Sequence, residues 1–64
     1  MAVKTVEAVI EELNKRREAL KNALADGAAK DYVEYRAMSG EIQGLSLAHS
    51  LLTDLVRNLE FDDD

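Results

Sequence analysis

An all-α fold, an antiparallel helical hairpin, is what this chain of 64 residues predicts. The positions Val3, Val6, Ile10, Leu13, Arg17, Leu20 and Leu24 recur at alternating steps of three and four, the spacing of one face of a helix. Asp26-Gly27 and then Asp31 with Glu34 supply stop and start signals for two helices, and the chain contains no proline to break either one. The hairpin is expected to assemble into a homo-oligomeric helical bundle.

Helix one is placed at about residues 4–25. Glu11 with Lys15 and Glu12 with Arg16 are favourable i to i+4 pairs. The charge runs from acidic (Glu7, Glu11, Glu12) to basic (Lys15, Arg16, Arg17, Lys21), the order that suits the helix dipole. Gly27 is placed to close the helix in the left-handed conformation, since it has no Cβ to clash there. Ala28, Ala29 and Lys30 form the connector.

Asp31 and Glu34 read as a capping-box variant, in which Asp31 accepts from the first free amides and Glu34 reaches back. Helix two is placed at about residues 32–60, roughly 43 Å at the usual rise, and should outlast helix one. A short connector favours antiparallel neighbours, which sets Leu20 near Met38, Leu13 near Leu45 and Val6 near Leu52. One continuous coiled coil is the alternative, and Gly27 with the Asp31 cap argues against it. The chain reads as a single domain, 1–64, ending in a short acidic tail at 61–64.

Size then becomes the problem. A domain this small buries only roughly 60% of its unfolded surface, and such domains usually lean on disulfides, metal or oligomerisation. With no cysteine and one histidine, oligomerisation is what remains. The residues between Ile42 and Val56 are interrupted by Gln43, Ser46, His49, Ser50, Thr53 and Asp54, which speaks against a membrane span. The N-terminus has no export-signal pattern, so synthesis in a cytoplasm is expected.

Helix two carries two apolar stripes where a two-helix fold requires one. Met38, Ile42, Leu45, His49, Leu52, Val56 and Leu59 form the large stripe, suited to helix one. Ala37, Gly40, Gly44, Ala48, Leu51 and Leu55 form a second, built largely of small residues, and are the candidate interface. Each glycine costs up to ~1 kcal/mol of helix propensity relative to alanine. Either another helix approaches the backbone closely there, or the helix is simply weakened. The small-xxx-small pattern is best established in membranes, where its physics differs.

No catalytic, metal or cofactor signature is present. His49 has no acidic or sulfur partner one turn away and reads as an edge-of-core residue. Ser39, Ser46 and Ser50 lack an activating base, so no enzyme is expected. Arg17 interrupts the seam of helix one, where it snorkels or pairs with Glu41 or Glu18, and a polar residue at one seam position commonly fixes register. Tyr32 and Tyr35 are expected to pack over the connector end of the hairpin with their hydroxyls in water. Lys15-Arg16-Arg17 is the one basic run, flanked by acids in a chain of net charge −5, which weighs against nucleic acid as a partner.

Folding the hairpin gathers Glu7, Glu11, Glu12, Asp54, Glu60, Asp62, Asp63 and Asp64 at the end away from the connector. Only Lys4 and Arg57 oppose them, so that pole sums to −6. With Phe61 beside the three aspartates, it is the candidate acidic docking pole, which would attract a basic protein surface and repel phosphate. The plainer reading is a solubilising tail.

The stretches Lys30-Asp31-Tyr32-Val33-Glu34-Tyr35-Arg36, Gly40-Glu41-Ile42-Gln43-Gly44-Leu45 and Leu52-Thr53-Asp54-Leu55 resemble small acidic α-helical proteins of tailed bacteriophages. In these a K-D-Y-x-E-Y-R, G-x-I-x-G-L and D-L pattern recurs on one helix, mostly without an assigned role. The resemblance covers roughly residues 24–59 and implies a phage origin, a small helical fold and location in the host cytoplasm or the virion. Two functions follow as expectations. One is a structural or assembly protein that binds itself and a larger virion component. The other is an acidic regulator that mimics nucleic acid and docks on a basic host protein.

Overall fold

The structure, a computed structural model, describes residues 3–61. Two helices make up the fold, α1 (Val3–Ala25) and α2 (Tyr32–Phe61), within one residue of the expected limits at each end. The expected tail at 61–64 is shortened at its start, because the backbone of Phe61 still belongs to α2, and Asp62, Asp63 and Asp64 lie outside the described residues.

The reversal between the helices is built from local hydrogen bonds. At the end of α1 the amide of Ala28 donates to the carbonyl of Ala23 at 3.0 Å and that of Gly27 to Leu24 at 3.1 Å. These are the two bonds of a Schellman closure. Gly27 has φ 85° and is the one residue with positive φ among those described, which accounts for glycine at this position. At the start of α2 the carboxylate of Asp31 accepts from the Glu34 amide at 2.8 Å. Glu34 reaches back as expected but one residue further, accepting from the Lys30 amide at 2.6 Å instead of that of Asp31. Three otherwise unpaired helix-end groups, the carbonyls of Ala23 and Leu24 and the amide of Glu34, are thereby satisfied without help from the rest of the fold.

The helices run antiparallel along a single seam. Arg16 Nε and Nη2 each lie 2.9 Å from Glu41 Oε2, and Arg17 Nη1 donates to Ser46 Oγ at 3.4 Å. These two cross-links bracket the register that sets Leu13 near Leu45. All seven predicted seam residues of α1, and Met38, Ile42, Leu45, His49, Leu52 and Val56 of α2, are buried or half-buried. Leu59 is exposed, because α2 has 30 residues against 23 in α1 and its last turn overhangs its neighbour. Full burial among the described residues is confined to Val6 and Val56, both toward the end opposite the connector. The result is a rod of 52 × 15 × 15 Å with a core one side chain deep.

Several expected charge contacts are rearranged. Lys15 lies 3.7 Å from Glu11, as anticipated, but also 3.6 Å from Glu12. Glu12 does not pair with Arg16, because Arg16 faces across to Glu41. The acidic-to-basic order along α1 also misses its purpose: neither the first nor the last turn holds the charge it would need, and the dipole effect fades beyond one turn.

The Gly27→Ala substitution places a Cβ in the left-handed region and should destabilise the hairpin by about 1–2 kcal/mol. Denaturant unfolding measures this, and an unchanged midpoint would mean that the bend is not held by the Schellman closure.

Candidate interaction surface

α2 presents a second face beside the one it gives to α1. Of the predicted interface residues, Ala37, Gly40, Gly44, Leu51 and Leu55 are exposed, Leu51 at 61% and Leu55 at 42%. Ala48 departs from the expectation. It is half-buried, since its place on the helix lies toward α1. The structure adds two residues that the sequence reading left out, Val33 at 76% exposure and Leu47 at 62%. The signal for both was present in the same period, as Val33 lies one turn before Ala37 and Leu47 stands between Gly44 and Leu51. Following the spacing through Ala48 alone hid Leu47.

An uncharged face thus extends from Val33 to Leu55 along one side of α2. Its upstream half is small (Ala37, Gly40, Gly44) and its downstream half large (Leu47, Leu51, Leu55). A Cβ built on Gly40 or Gly44 meets nothing within 4 Å, so neither glycine is required for the contact between α1 and α2. The helix accepts their propensity cost where the hairpin itself gains nothing from them. Arg36 and Asp54 flank the face on one side, and on the other is Glu41, already held by Arg16. Among the described residues neither Arg36 nor Asp54 has an ion-pair partner.

Next to the small half lies an open depression of about 330 Å³ lined by Tyr32, Tyr35, Arg36, Ser39, Gly40 and Gln43. The two tyrosines do not pack into the core over the connector as expected. Both are exposed and stack on one another, with ring centroids 6.4 Å apart and planes at 23°. Both stand in the first turn of α2, three residues apart, the spacing at which side chains on a helix are neighbours. A depression built from one helix has no second wall to enclose a small ligand.

Of the two partners expected for Arg17, Glu41 and Glu18, the structure pairs it with Glu18. It does not pair with Glu41, which Arg16 occupies. Its Nη2 donates to Asn14 Oδ1, its Nη1 to Ser46, and its Nε lies 3.8 Å from Glu18, too far for a hydrogen bond. That Nε is buried without a hydrogen-bond partner. The cation therefore sits in the seam incompletely satisfied, which is costly. His49 is half-buried on the α1 side, and its carbonyl accepts from Thr53 Oγ1 at 2.8 Å, an ordinary back-bond within a helix.

The acidic residues gather at the end away from the connector as far as they are described. Glu7, Glu11, Glu12, Asp54 and Glu60 are all exposed. The side chain of Phe61 and the residues Asp62, Asp63 and Asp64 lie outside the described set. Among the described residues, no cluster of three His, Cys, Asp or Glu side chains is placed to hold a metal ion, and no helix is long and apolar enough to cross a membrane. Comparison with known proteins finds no matching family model, no matching curated protein and no matching solved structure.

Two substitutions probe this arrangement in dilute solution. Gly40→Ala and Gly44→Ala should each raise the hairpin's stability by up to ~1 kcal/mol, because propensity improves and the new methyl meets open space. A loss of stability at low concentration would show that the glycines serve the hairpin internally. Arg17→Leu completes the heptad and removes the unpaired Nε, and should stabilise by about 1 kcal/mol. A lower melting temperature would mean that the Asn14 and Ser46 contacts outweigh the burial cost.

Proposed function

We propose that this chain is a non-enzymatic, phage-type structural or assembly protein, which associates with itself through the outer face of α2 and binds a larger virion component. The observation that carries the reading is the imbalance of apolar surface. Full burial is confined to two valines among the described residues, while Val33, Leu47, Leu51 and Leu55 stand in a row exposed. Contiguous exposed apolar surface of this kind marks an interaction site on a soluble protein. A core this thin is also marginal on its own, so association contributes to folding as well as to assembly. The phage setting rests on the sequence resemblance, which implies synthesis in the host cytoplasm and incorporation in the particle.

A second reading is favoured by a separate observation, the exposed carboxylates at the end away from the connector. In it the protein is a regulator whose acidic pole, Glu7, Glu11, Asp54 and Glu60 with the residues beyond, docks on the basic groove of a host protein in place of nucleic acid. Attraction of that kind weakens with salt.

Gly44→Leu places a large side chain in the middle of the outer face and should lower the mass observed by sedimentation. An unchanged mass would remove the outer face from the assembly. Recovery of the polypeptide at fixed stoichiometry in purified particles supports the structural role. Salt-sensitive capture of a basic host enzyme, with none of the polypeptide in particles, would replace it with the regulator.

A further inference from the structure

We infer that the outer face of α2 is covered by the same face of a second copy, packed antiparallel about a two-fold axis, with Arg36 of each copy paired to Asp54 of the other. The inference rests on the proposed self-association and specifies its geometry. Two observations beyond the exposure of the face lead to it.

The first is the grading of size along the helix. Small residues occupy the half toward the connector and leucines the half beyond it. A parallel pair would set leucine against leucine at one end and leave glycine facing glycine at the other. An antiparallel pair sets small against large in three layers, Ala37 on Leu55, Gly40 on Leu51 and Gly44 on Leu47, with Val33 lying outside them. An isologous interface requires a surface complementary to itself, and this face is so only in the antiparallel sense. The open space over Gly40 and Gly44, where a Cβ finds nothing within 4 Å, is where the partner's leucines fit.

The second is charge. Arg36 and Asp54 stand about five turns apart on the same flank of the face. In an antiparallel pair equal flanks meet, so the pairing that joins Gly40 to Leu51 brings Arg36 of one copy beside Asp54 of the other, twice per dimer. Both are exposed and lack an ion-pair partner among the described residues. Glu41, the acid on the opposite flank, is already taken up by Arg16 within the hairpin. Of the charged groups that flank this face, those left without an ion pair are therefore the two that the dimer matches.

Sedimentation of charge-reversed chains tests the geometry. Arg36→Asp alone and Asp54→Arg alone should each weaken dimerisation by about tenfold, since attraction becomes repulsion at both symmetric sites. The double variant should return to within about threefold of the parent. Both positions are exposed and make no ion pair within the hairpin among the described residues, so helicity by circular dichroism should be retained and a weaker dimer is not a misfolded one. Orientation is read separately by cross-linking, for which the absence of cysteine leaves a clean background. A chain with Ala37→Cys mixed with one carrying Leu55→Cys should form the mixed disulfide in preference to either homodimer. A dimer that Gly44→Leu breaks but the double reversal does not restore, with Ala37→Cys joining to itself, overturns the antiparallel geometry and leaves self-association standing. A monomer at every concentration overturns both, and a dimer indifferent to all these changes places the contact on another face.

Discussion

Everything in this fold depends on a single row of side chains shared by two helices. With α1 and α2 meeting along one seam, no third layer exists to correct their alignment, so the hairpin is determined at its two ends. At one end, Gly27 and Asp31 complete the hydrogen bonds of the bend from residues close by. At the other, Val6 and Val56 are the buried pair. Between them the seam is half-wet and is crossed by Arg16 to Glu41 and Arg17 to Ser46. A surface ion pair contributes little stability, but at a shared register it disfavours sliding.

That economy explains why the outer face of α2 and the weak core belong to one account. A helix in a small domain ordinarily spends its apolar residues on one neighbour. Here α2 carries enough for two, and the second set has glycine where close approach would need it. Helices pack at roughly 8–10 Å depending on the side chains between them, and glycine allows the near limit. The cost in propensity falls on the separate chain, and on the proposed self-association the benefit falls on the assembled one.

The fold was legible because its signals are local. The heptad from Val3 to Leu24, the glycine at the bend and the Asp31 cap each follow from short-range chemistry, and the limits of both helices agree with them to a residue. The capping contact missed by one amide because a carboxylate on a two-carbon stem can reach either of two adjacent donors. What the sequence concealed depended on competition between neighbours. Glu41 could face Arg16 or Arg17, and only the relative rotation of the two helices decides it. Tyr32 and Tyr35 looked like cover for the connector because aromatic residues usually find a core, yet their place on α2 turns them toward each other. The outer face was legible from periodicity, although Leu47 was masked by Ala48, its neighbour on the same turn.

The bend has a bearing on the order in which the chain organises. Its hydrogen bonds span five residues at most, so the reversal costs little loop entropy and can form before the helices touch. Pairing then proceeds outward from Leu20 and Met38, each step bringing the next residues within reach, the behaviour of folds dominated by near-neighbour contacts. Val6 and Val56 close last. Because those two valines are the fully buried residues among those described, it is they that hold shut the end of the rod farthest from the turn.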